Sequence, residues 1–187
     1  IPQSVVIFGS IGIKRRDPDW YAATILFEIL SGGFGSRLTE EIREKRGLTY
    51  GVSAYPLPLE KAGVIVGNVS TVNDRVAESI QLIKDIWQNF GEKGPTPTEM
   101  QNAKDYINGS FPLRFTNSKT IAGVLNAVQH FDLGIEYLEN RSKLIDQVSL
   151  RDLRRVAKRL FDSKALTFAV VGKPTNLDPT MRAPAYE

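Results

Sequence analysis

Leu48, Tyr50, Val52 and Ala54 alternate with Thr49, Gly51 and Ser53, and a second β-rich run, Gly63 to Thr71, follows after the turn Pro56 to Lys61. Alternation of period two is the mark of a strand with one face turned inward, and two such strands joined by a short turn predict an antiparallel hairpin. A hairpin in mid-chain argues against a sheet built only from parallel strands and helical crossovers.

The remaining segments fit around that hairpin. Val5 to Ile13 is β-branched and glycine-spaced, which predicts a first strand with Val5, Ile7, Ile11 and Ile13 on one face. Asp17-Pro18 reads as an N-cap with proline at the first helical position, and Ala23, Leu26, Phe27 and Leu30 repeat at helical spacing up to Gly32. Ser36 to Arg46 reads as a short helix closed by Gly47. From Asp74 an apolar stripe of Val76, Ile80, Ile83, Trp87 and Phe90 predicts a helix ending at Gly91 and Gly94. Thr96-Pro97-Thr98-Glu99 and Ser149-Leu150-Arg151-Asp152 read as capping boxes, with helices expected near 118–132 and 135–147 between them. Ala165 to Val171 reads as a last strand.

The order β, α, α, β, β, several α, β favours an α+β fold: an antiparallel or mixed β-sheet covered by helices on one side. Residues 1–173 read as a single domain, and the polar, proline-bearing residues 174–187 as a loosely held tail. The length of 187 residues, with 42% hydrophobic and 24% charged residues, suits one folded domain. Ile1-Pro2, with neither methionine nor signal peptide, reads as the start of a fragment or of a processed or trimmed chain. The compartment stays open, with bacterial periplasm and cytoplasm both allowed.

Composition excludes several functions. The net charge of +3 is small and the basic residues are scattered, so no nucleic-acid partner is expected. No apolar run approaches the roughly eighteen residues of a membrane span, so no membrane partner is expected either. The chain has no cysteine and one histidine, His130, which reads as structural in a largely apolar helix. A protein zinc site needs three or four ligands and a serine triad needs a placed base, so neither is expected here. Arg151, Arg154, Arg155, Lys158 and Arg159 read as the solvated face of the last helix.

Gly32, Gly33 and Gly35, followed by Ser36, suggest a phosphate loop at first sight. The segment follows a helix instead of a strand and lacks a Gly-Lys-Ser/Thr ending, so a peptide-contacting or hinge loop is the better reading. Arg43 and Tyr50, seven positions apart across Gly47, can converge as two donors to a peptide carbonyl or the oxyanion it becomes. Spacing alone favours the plainer reading, in which Tyr50 packs with Leu48 and Val52 and Arg43 complements a helix C-terminus.

The run SGGFGSRLTEE–IREKRGLTY, residues 31–50, resembles the arginine and tyrosine element of pitrilysin-type (insulinase-family) zinc metallopeptidases, in their zinc-free C-terminal domain. Weaker likeness extends through Gly67, Thr71, Gly109 to Pro112, and Val170 to Pro174. The resemblance implies an α+β domain of a duplicated set enclosing a peptide chamber, with peptide as substrate. It implies no metal in this chain and zinc in an N-terminal zinc-binding domain or a homologous zinc subunit, as a homo- or heterodimer. Under it Arg43 and Tyr50 become substrate and transition-state donors, with Gly32, Gly33, Gly35 and Ser36 as the substrate loop. The C-terminal domain of a single-chain peptidase, and a catalytically silent core subunit like those of respiratory complexes, are the alternatives.

Overall fold

In the structure, a computed structural model, residues 2–181 are described; residues 182–187 of the expected tail lie outside them. Four strands, β1 (Gln3–Ile11), β2 (Val52–Pro58), β3 (Gly63–Val72) and β4 (Thr167–Val171), form one antiparallel sheet in the order β2-β3-β1-β4. The expected hairpin is β2-β3, in register from Val52 opposite Val69 to Pro58 opposite Gly63. Its turn is tighter than expected, closing with Leu59 N–H on Ala62 O, because β2 runs on through Pro56 and Pro58. Proline donates nothing to a ladder and is tolerated here because β2 lies at the sheet edge.

Helices α1 (Trp20–Ser31), α2 (Val76–Lys93), α3 (Pro97–Ser110), α4 (Ser118–His130), α5 (Tyr137–Asp146) and α6 (Leu150–Leu160) accompany the sheet. The core lies between the sheet and α1, α2 and α6, where Val6, Phe8, Ile65 and Val69 meet Leu26, Leu30, Ile83, Trp87 and Val156. The face of β1 carrying Val5, Ile7 and Ile11 is the outer one, with Ile11 87% exposed. Both parities of β1 are apolar, so alternation does not choose between them. The choice is made by Phe8, whose ring fills the place where a side chain on Gly67 would stand.

Both capping boxes form, on Thr96 with Glu99 and on Ser149 with Asp152. Two helix ends differ from expectation. α1 starts at Trp20, because Asp17 Oδ1 accepts the Asp19 N–H and Asp17 O the Trp20 N–H, making a turn ahead of the helix. α2 continues through Gly91, where the missing side chain lets the Phe161 carbonyl approach, and stops at Gly94. Further along, Thr175 N–H donates to Asn73 O, and Leu177 packs against the core.

The basic face of α6 is only partly solvated. Arg155 donates to both oxygens of Asp19 at 2.6 and 2.9 Å, and Arg159 to Asp17 and Asp19. These pairs tie α6 to the entry of α1, where negative charge also suits the helix dipole. The Arg155 hydrogen bond outweighs burial and holds the Asp19 carboxyl below its ordinary value near 3.8; Arg159 does the same for Asp17. A carboxylate depressed in the folded state stabilises it above the unfolded value and loses that contribution as pH falls through the folded value. Asp19→Asn is therefore expected to lower stability at pH 7 by about 1 kcal/mol, since the arginine side chains are 57% and 47% exposed. The deficit should shrink below pH 3.8. Urea titrations of both proteins across pH 2.5–7 check this, and parallel curves would contradict it.

Candidate functional site

The segment from the end of α1 to the start of β2 builds the site. Gly32 ends α1, and Gly33 and Gly35, at φ +147° and +83°, turn the chain through conformations that side chains resist. Ser36, expected in the substrate loop, is buried with its hydroxyl donating to Thr39 Oγ1 at 3.0 Å, so it holds the turn. The following helix is a π-helix, Thr39–Glu44, in which Lys45 N–H reaches back five residues to Glu40 O. Leu38 and Ile42 anchor it in the core, and Gly47 closes it at φ +59°.

Arg43 leaves the last turn of this helix toward solvent, its guanidinium 5.3 Å from the centre of the Phe34 ring and Nε 3.4 Å from Glu44. Tyr50 is not on a strand. Residues 48–51 are held to β3 by side-chain hydroxyls: Thr71 donates to Leu48 O and Thr49 to Ser70 O, both at 2.6 Å. Leu48 and Thr49 are buried while Tyr50 is 91% exposed, which removes the reading in which its ring packs with Leu48 and Val52. Among the described residues its hydroxyl has no hydrogen-bond partner.

Arg37 fixes the loop from below. Its guanidinium forks onto Glu99 at 2.7 and 2.9 Å, donates to Gly94 O, and lies over Phe90. Glu99 also accepts the Thr96 N–H of its capping box, so one carboxylate fastens the site segment to the start of α3. Burial pushes the Glu99 carboxyl up, but Arg37 and Thr96 together bring it below its ordinary value near 4.5. On the other side of the loop a cleft of about 490 Å3 is lined by Gly32 to Ser36, by the α3 residues Asn102 and Tyr106, and by Glu28. Glu28 was not singled out from the sequence, although it is the one charged residue in α1. Burial pushes its carboxyl above the ordinary 4.5.

His130 lies exposed at the end of α4, its ring edge against Phe131. Among the described residues no three of His, Cys, Asp and Glu are grouped where they could hold a metal ion. A zinc ion therefore does not fit the described residues. No described helix is long and apolar enough to cross a membrane.

Comparison with known proteins agrees with this architecture. The profile of the family described as "Peptidase M16 inactive domain" matches residues 1–107. A solved M16 inactive domain from Pseudomonas fluorescens superposes with a TM-score of 0.84 at 29% identity, covering 95% of this chain and 42% of that one. A Helicobacter pylori protein named non-peptidase homolog YmxG is 35% identical over 90% of this chain and 39% of its own length. A Mycobacterium bovis protein named uncharacterized zinc protease is 26% identical over 87% of this chain and 38% of its own. The chain spans about two fifths of the length of these relatives. It belongs to the peptidase M16 family, as an inactive domain of its zinc-protease-like proteins.

Proposed function

We propose that residues 1–173 form the zinc-free C-terminal domain of a pitrilysin-type metallopeptidase, which binds peptide substrate and completes an active site whose zinc belongs to another domain or subunit. The supporting observation is Tyr50: a large aromatic side chain on an anchored backbone, 91% exposed, its hydroxyl without a hydrogen bond among the described residues. Such a side chain gives the fold little, and its phenol is free to serve something outside the chain. Arg43, its side chain 38% exposed, supplies a guanidinium suited to carbonyl or carboxylate oxygens. Gly32, Gly33 and Gly35 shape the loop whose Phe34 ring lies 5.3 Å from the Arg43 guanidinium.

The partner that brings zinc is an N-terminal domain of the same protein or a homologous subunit. Zinc analysis and peptide hydrolysis test this with the isolated chain and then with its zinc-bearing domain or subunit. The isolated chain is expected to be inactive and free of stoichiometric zinc, with hydrolysis appearing on reconstitution. Hydrolysis by the isolated chain would overturn the proposal. A second reading, a catalytically silent core-type subunit, draws on the Helicobacter pylori relative named a non-peptidase homolog. Stable assembly without hydrolysis of any peptide would establish it instead.

A further inference from the structure

The Glu28 carboxylate has no hydrogen bond or ion pair among the described residues, while its backbone carbonyl accepts the Gly32 N–H that ends the helix. It sits one turn before the end of α1, and its carboxylate occupies the space that a side chain at Gly32 would need. The other acid of the cleft, Glu99, is already engaged by Arg37 and the Thr96 N–H. Glu28 is thus the uncompensated charge of the cleft. The same cleft is lined by Asn102 and by two exposed rings, Phe34 at 87% and Tyr106 at 57%.

A half-buried anion in a cleft that also presents exposed aromatic rings suits a long cationic side chain: the charged head can meet the carboxylate while the stem lies along the rings. An anionic group would meet Glu28 in a cleft with no Lys or Arg among its lining residues. An apolar group would desolvate the carboxylate further with nothing in return. Phe34 also connects this cleft to Arg43, whose guanidinium lies 5.3 Å from its ring centre.

We infer that Glu28 is a specificity-determining residue, and that the cleft beside the Gly32 to Ser36 loop receives a lysine or arginine side chain of the bound peptide. This rests on the peptide-binding reading above. A cation bound there would offset the burial that holds the Glu28 carboxyl high.

The test uses the full-length protein with its zinc-bearing domain or subunit and fluorescence-quenched peptides identical except for Lys or Gln at one position, walked along the sequence. At one position the Lys peptide is expected to exceed the Gln peptide about tenfold in kcat/KM. Glu28→Gln should bring that ratio to about one. Gly32→Ala, whose new methyl group displaces the Glu28 carboxylate, should lower the ratio and serves if Glu28→Gln folds poorly. Tyr50→Phe should slow both peptides and preserve the ratio, which separates the cleft from the donor role. If no peptide is cleaved, anisotropy of the same peptides carrying fluorescein decides. A Lys preference abolished by Glu28→Gln upholds the inference even when the hydrolytic reading fails. No Lys preference at any position, no binding, or a preference untouched by both variants overturns it.

Discussion

On the proposed function, replacing Tyr50 with phenylalanine is expected to lower kcat of the reconstituted protein by about 10²–10³, the loss of roughly 2.7–4 kcal/mol of transition-state stabilisation. That range is typical for deleting one preorganised donor to a developing oxyanion. Preorganisation here lies in the backbone: the hydroxyls of Thr49 and Thr71 pin residues 48–51 to β3 and leave the phenol in solvent. Phenylalanine keeps the ring and removes the hydroxyl alone. Because the side chain is 91% exposed, the melting temperature and the affinity for the zinc-bearing partner should stay at wild-type values. Turnover, melting temperature and partner affinity measured together separate a lost donor from a lost fold. Wild-type turnover in Tyr50→Phe would remove Tyr50 from the mechanism.

Features set by near neighbours in the chain were legible before the structure. The hairpin, the two capping boxes and the Gly47 helix end each depend on a few adjacent residues, and all are present. The features that escaped depend on partners far away. The alternation from Leu48 to Ala54 looks like continuous strand, yet it becomes strand only at Val52, because hydroxyls of Thr49 and Thr71 replace ladder hydrogen bonds before that point. Gly91 looks like a helix stop, and its purpose emerges only with the Phe161 carbonyl against it. The arginines of α6 look solvated until Asp17 and Asp19, some 140 residues upstream, are seen beside them.

The candidate site divides in the same way. Arg43 and Tyr50 were visible through a family likeness, while the cleft needs α3 folded against the Gly-rich loop, bringing Asn102 and Tyr106 to Glu28. A carboxylate alone in an otherwise uncharged helix was a readable sign of that cleft. What it faced was not readable, because Asn102 and Tyr106 lie more than seventy positions away.

Trp87→Ala is the substitution expected to damage the fold most, by about 3–5 kcal/mol. Trp87 is fully buried where the sheet and three helical segments meet, its ring 6.0 Å from Phe8, 6.3 Å from Phe27 and 4.9 Å from Phe161. Removing the indole would leave a void that three aromatic rings on separate elements are poorly placed to fill. In a protein of this size the loss corresponds to a fall in melting temperature of roughly 6–20 °C. Trp87→Phe should cost less than the lost volume alone implies. The indole Nε1 is buried without a hydrogen-bond partner among the described residues, and phenylalanine removes that unsatisfied donor, worth about 1–3 kcal/mol, together with the atoms around it. Thermal and urea unfolding of both variants measure these effects, and an alanine variant within about 1 kcal/mol of wild type would show that the core reorganises around the void. The contrast with Tyr50 then bears on function. Trp87 lies behind α1, which carries Glu28 and leads into the Gly-rich loop, so its loss should reduce turnover only as the folded population falls. Tyr50→Phe should reduce turnover in a protein that remains fully folded.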